Sequence, residues 1–188
     1  IDKDFNPQDI HVTDTLDFQA IYTLINGGKV FLNLHGKVQK GKEVIQSFTP
    51  VFWNTSWFKM RPPHTLGLVI DNESKAFQYF PTAYHSDLQW WEIVNNAQVM
   101  HLEDFPNSFK PLVRNIDTWF MNRSLATVFE AQAGNGKIIV SSADLLSAHE
   151  TRPAAKQLFY SLIKYMQSED FQPKEKVGIR TLMDLSRK

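Results

Sequence analysis

The stretch Leu16-Asp17-Phe18-Gln19-Ala20-Ile21-Tyr22-Thr23-Leu24-Ile25-Asn26-Gly27-Gly28-Lys29-Val30-Phe31-Leu32-Asn33-Leu34 decides the reading of the fold class. Leu16, Ala20, Ile21 and Leu24 recur at helical spacing and make one apolar stripe. Thr13, Asp14 or Thr15 can cap that helix, because a short side-chain oxygen accepts from the free backbone N–H groups of a first turn. Gly27-Gly28 ends it, at a point where a left-handed residue is wanted. Val30 to Leu34 then reads as a mostly buried strand. Helix, Gly-Gly and apolar strand form an αβ unit, and the unit predicts an α/β domain with a mainly parallel sheet flanked by helices.

Outward from that unit, residues 9–12 predict a short strand before the helix, and residues 36–42 a polar loop after the strand. Residues 47–64 contain Pro50, Pro62 and Pro63 and read as an aromatic-rich ordered loop. Residues 66–70 predict another buried strand, closed by Asp71-Asn72. Ser86 with Gln89 three residues on fits a capping box, which predicts a helix over 87–95. Residues 112–116 suit a strand. Two apolar runs, 125–133 and 137–143, flank Gly134-Asn135-Gly136 and predict a terminal antiparallel hairpin. Pro153 suits a helical first turn, since its missing N–H would have no partner there. Ala155, Leu158, Phe159, Leu162, Ile163 and Met166 then make a core-facing stripe. The expected organisation is one α/β domain over 1–167 and a polar C-terminal extension over 168–188, with a short helix near 179–185.

With 188 residues, 43% of them hydrophobic, the chain can build a sizeable core. Its 20 basic and 20 acidic residues balance, which gives no field to draw in nucleic acid or an anionic membrane. With no cysteine, disulfides, thiolate nucleophiles and Cys-type zinc sites are excluded. No apolar run approaches the roughly 20 residues of a membrane span. The chain begins at Ile1 and not at an initiator methionine, so it is expected to be a piece of a longer protein, and the missing signal peptide says nothing about that protein's location.

Three aromatic stretches resemble the C-terminal region of bacterial family 2 glycoside hydrolases of the Bacteroidetes type. They are Pro50-Val51-Phe52-Trp53-Asn54-Thr55-Ser56-Trp57-Phe58, Arg61-Pro62-Pro63-His64-Thr65-Leu66-Gly67, and Phe80-Pro81-Thr82 with Tyr84-His85-Ser86-Asp87-Leu88-Gln89-Trp90-Trp91. Residues 16–34, the hairpin region from Phe129 to Leu145, and Arg152-Pro153-Ala154-Ala155 also resemble class I glutamine amidotransferase-like domains, which have a flavodoxin-like α/β fold. Such domains occur as accessory parts of β-galactosidases. The resemblance therefore implies that scaffold without the amidotransferase cysteine, in a periplasmic or extracellular parent enzyme. The strand–helix–strand portion that usually opens the fold is not found before Asp9.

Glycoside hydrolysis needs two carboxylates about 5–9 Å apart. Glu92, Glu103, Asp104, Asp117 and Glu130 are available, but no motif pairs them. A family 2 centre sits in a β/α barrel of about 250 residues, so the resemblance places it in another part of the parent. Ser141-Ser142, Asp144 and His149 are the residue types of a serine hydrolase without its G-x-S-x-G elbow. His64, His85 and Asp87 lack metal-ligand spacing, and no metal or other cofactor is expected.

Sugar binding is better motivated, because flat aromatic faces stack on the C–H faces of pyranose rings while polar neighbours orient hydroxyls. The candidate residues are Trp53, Asn54, Trp57, Arg61, His64, His85, Asp87 and Trp90. Trp90 and Trp91 lie about 100° apart on a helix, so at most one of them faces a given pocket. Packing against the core or neighbouring domains is the competing reading of these aromatics. The expected function is a non-catalytic accessory domain of a β-galactosidase-like enzyme, or alternatively a carbohydrate-binding module. Other domains of the parent are the expected partners, an oligosaccharide is the second, and an oligomer is compatible with the sequence.

Overall fold

Strand β2 (Lys29–Asn33) runs parallel to β1 (Ile10–Thr13) on one side and to β7 (Gly136–Ser141) on the other. In this computed structural model, which describes residues 5–48 and 64–187, these three strands form the parallel part of a seven-stranded sheet. Beyond β7 the strands among the described residues pair antiparallel. β7 pairs with β6 (Leu125–Ala133), β6 with β5 (Val113–Asn115), and β5 with β3 (Leu68–Ile70). β4 (Met100–His101) takes over from β7 along β6, meeting Leu125 and Ala126 where β7 stops opposite Val128.

The expectation of a mainly parallel sheet, flavodoxin-like and class I glutamine amidotransferase-like, is therefore corrected. The sheet is mixed and most of its pairings are antiparallel. The reason lies in what an apolar run reports. β6 is buried at its first five residues because both of its faces are covered, and that pattern carries no information about direction. Direction follows from the connections. A tight one, Gly134-Asn135, returns β6 onto β7 as the predicted hairpin, with Gly134 at φ +61.

Helices cover both faces. Helix α3 (Pro153–Gln167) and helix α2 (Gln89–Asn95) bury Leu158, Leu162, Ile163, Trp90 and Ile93 on one face, together with Phe31, Val128 and Ile139 of the sheet. Helix α1 (Phe18–Ile25) and helix α4 (Ile179–Asp184) bury Ala20, Leu24 and Leu182 on the other, against Leu32, Phe129 and Val140. The segment after Ser168 contributes Phe171 to the first core and Val177, Leu182 and Leu185 to the second.

Local signals were read with small displacements. The cap of α1 is Asp17, whose Oδ1 accepts from Ala20 N at 2.9 Å, rather than residues 13–15. The capping box at Ser86 and Gln89 does not form. α2 starts at Gln89 with no side-chain cap on Leu88, and the Gln89 side chain instead donates to Pro81 O at 2.8 Å. Pro153 opens α3 as expected, and the whole predicted stripe of that helix is buried. Gly136 permits a close approach of α1 and its C-terminal turn to β7, since a Cβ there would lie 2.4 Å from Gly28 O and 2.9 Å from Leu24 Cα.

Candidate functional site

The neighbouring strands β5 and β6 carry a line of buried polar side chains. Thr127 on β6 donates to Asn115 Oδ1 on β5 at 2.9 Å and accepts from Gln46 Nε2 at 3.4 Å. Thr65 and Ser47 are joined at 2.9 Å, and His64 pairs with Ile45 in an isolated bridge. Gln46 Oε1 and Asn115 Nδ2 are buried without a hydrogen-bond partner, an uncommon arrangement in a folded chain.

From Asn115 the chain turns outward through a clamped loop. Asp117 accepts from Arg123 Nε at 2.9 Å and Nη2 at 3.1 Å, and from the backbone N–H groups of Thr118 and Arg123 at 2.8 Å each. Burial pulls the Asp117 carboxyl up, but the guanidinium and the two N–H groups outweigh it and hold the pKa below the ordinary value. Arg123 also reaches Glu43 at 3.5 Å. The loop closes with Met121 N and Asn122 N donating to Thr118 O, and with Asn122 in the left-handed region at φ +51. Its tip carries three consecutive large apolar residues outward: Trp119, Phe120 and Met121, with Trp119 51% exposed.

Of the eight sequence-derived candidates, Trp53, Asn54, Trp57 and Arg61 lie outside the described residues. His64 is buried at the polar line. His85 is exposed and bridges Val69 at the β3 edge. Asp87 accepts from Gln89 N at 3.2 Å at the start of α2. Trp90 is fully buried, with its Nε1 donating to Thr82 Oγ1 at 2.8 Å and its ring edge-on to Phe77 and Phe80. Its place on a binding surface is thus corrected: its indole fills the core. Trp91 is 54% exposed, so the two adjacent indoles diverge as helical geometry requires.

The hydrolase-type residues serve local structure. Ser141 donates to Ala143 O at 3.3 Å, Ser142 donates to Gln98 O at 2.6 Å, and the His149 ring meets Leu145 O at 2.7 Å. Asp144 binds Arg152 at 2.7 Å, and Arg152 also pairs with Glu92. Glu103 and Asp104 pair with Lys40. Among the described residues, no group of three His, Asp or Glu side chains could hold a metal ion. Nor is any helix there long and apolar enough to cross a membrane.

Glu130 is the remaining carboxylate of interest. It lines a cleft of about 580 Å³ with Asp71, Lys110, Tyr165, Asp170 and Lys174. Burial raises its pKa, a hydrogen bond from Tyr165 opposes the rise, and Asp71 adds to it. Burial and Glu130 in turn push the Tyr165 phenol well above its ordinary value.

A family described as a domain of unknown function (DUF8487) matches residues 11–187. The chain belongs to that family. The match runs from β1 past α4, so the family takes in both helical layers, the polar line and the clamped loop. No curated protein matches the chain.

The reading of the sequence passed over Trp119, which stands apart from the pairs Trp53/Trp57 and Trp90/Trp91, and also Gln46, Asn115, Thr127 and Tyr165. A signal for the first was present: an unbroken apolar triplet between Asp117-Thr118 and Asn122-Arg123, residue types that build turns. The others become neighbours only through sheet pairing and helix packing.

Proposed function

We propose that the chain is a non-catalytic accessory domain of a larger carbohydrate-degrading enzyme, and that it works by packing against other domains of the same polypeptide. The observation that carries this reading is helix α1, which is apolar on two opposite sides. Ala20 and Leu24 are fully buried against the sheet, while Phe18, Tyr22 and Ile25 are 80%, 55% and 51% exposed. A surface helix normally turns charged residues outward, yet no residue of α1 is charged. Phe18, Tyr22 and Ile25 stand at i, i+4 and i+7, the spacing with which a helix sets anchors into an apolar groove. Phe18 and Tyr22 already stack at 6.2 Å. The link to carbohydrate degradation is supported by the resemblance of residues 50–67 and 80–91 to family 2 glycoside hydrolases.

The test is a Phe18→Ser/Tyr22→Ser double variant in the complete polypeptide that the gene encodes. The isolated domain should melt as before, because both side chains are exposed. In the complete protein the domain's unfolding should separate from that of its neighbours. Unchanged coupling, or a reading frame without a carbohydrate-active domain, overturns the reading.

A second reading, that the domain binds carbohydrate, is favoured by a different observation: the exposed Trp119 on its clamped loop.

A further inference from the structure

We infer that Trp119 is a stacking platform for the apolar C–H face of a neutral sugar ring, held in place by the Asp117–Arg123 clamp. The inference rests on the carbohydrate-binding reading and gives it a site.

Three features of the loop support the assignment. The first is rigidity. Asp117 takes four hydrogen bonds, two from the Arg123 side chain and two from backbone N–H groups, and two more backbone N–H groups close on Thr118 O. An aromatic side chain on a fixed base meets a ligand with little further loss of conformational freedom. The second is presentation. Trp119 is half exposed, and Phe120 lies beside it with ring centroids 5.8 Å apart and planes inclined by 50°. The two inclined rings touch and both stay about half exposed, at 51% and 56%. The third is charge. Arg123, the only cation between residues 116 and 124, is engaged by Asp117 and Glu43. No cation of the loop is left to draw in an anionic lipid surface or a phosphate. The exposed Asn122 amide beside the tip supplies both a donor and an acceptor for hydroxyl groups. An uncharged aromatic face flanked by an amide matches the apolar face and hydroxyl rim of a pyranose.

The test is an NMR titration of the ¹⁵N-labelled chain with lactose, cellotetraose and xylotetraose, reading all five tryptophan indole N–H signals. One or more of these sugars should shift the Trp119 signal. Trp119→Ala should weaken binding about tenfold or more, with the melting temperature held and part of the affinity kept by Trp119→Phe. Binding that shifts other indoles and survives Trp119→Ala overturns the platform and leaves the carbohydrate reading standing. No binding of any of the three at millimolar concentration overturns both. If Trp119→Ala instead uncouples the domain from its neighbours in the complete polypeptide, the tip is a protein contact and the inference fails.

Discussion

Asp117 and Arg123 meet through a bidentate pair, with Nε to Oδ2 at 2.9 Å and Nη2 to Oδ1 at 3.1 Å, and the loop between them turns Trp119 outward. The Asp117 side chain is only 2% exposed, so the pair is a structural clamp rather than a surface ion pair. Asp117→Asn would leave the guanidinium facing a neutral amide, and breaking a buried pair from one side costs about 3 kcal/mol or more. Chemical denaturation at pH 7 should show that loss, together with greater mobility of the Trp119 indole by NMR relaxation.

The same carboxyl sets an acid limit. Its folded pKa lies below the ordinary 3.8, so its contribution is present above that value and fades as the pH falls through the lowered one. Stability of the natural protein should drop more steeply than that of Asp117→Asn between about pH 4 and pH 2. Parallel denaturation curves for the two proteins across that range would show that the pair contributes nothing.

Glu130 has the opposite sign. Burial raises its folded pKa above 4.5, so the favourable neutral form is retained below that value and its benefit is lost as the pH rises through the raised one. Glu130→Gln keeps an acceptor for the Tyr165 hydroxyl and removes the buried charge. Its melting temperature should equal or exceed that of the natural protein at pH 8, and the difference should shrink toward pH 4. A variant less stable at pH 8 would mean that the ionised carboxylate is the favoured form.

Adjacent tryptophans should respond differently. Trp90→Ala empties a fully buried site and should cost about 3–5 kcal/mol. Trp91→Ala, at a half-exposed position, should stay within about 0.5 kcal/mol. Urea denaturation of the two variants reads both values directly.

Gly136→Ala tests the seam between α1 and the hairpin. The added Cβ would fall 2.4 Å from Gly28 O, a backbone atom that no rotamer change can move. Overpacking of this kind costs about 1–3 kcal/mol. A melting temperature within a degree of the natural protein's would show that the seam yields more readily than its geometry implies.

Much of the fold was legible in short stretches of sequence. The stripe of Leu16, Ala20 and Leu24, the Gly27-Gly28 stop and the strand from Val30 come from local periodicity and backbone preference, and each stands where it was read. The same holds for the Gly134-Asn135 hairpin and for α3 behind Pro153, because turn chemistry and helical spacing act over a few residues.

What only the tertiary structure decided depends on pairings distant in sequence. The direction of the antiparallel strands was one such matter, since β6 is buried along its first five residues between two helical layers, and that pattern is the same for either direction. The bond between Tyr165 and Glu130 joins a helix to a strand across 35 positions, and Gln46 reaches Thr127 across 81. Composition singled out the clustered tryptophans. Exposure was settled instead by packing, which buried Trp90 in the core and left Trp119, the isolated one, on an ion-paired loop facing solvent.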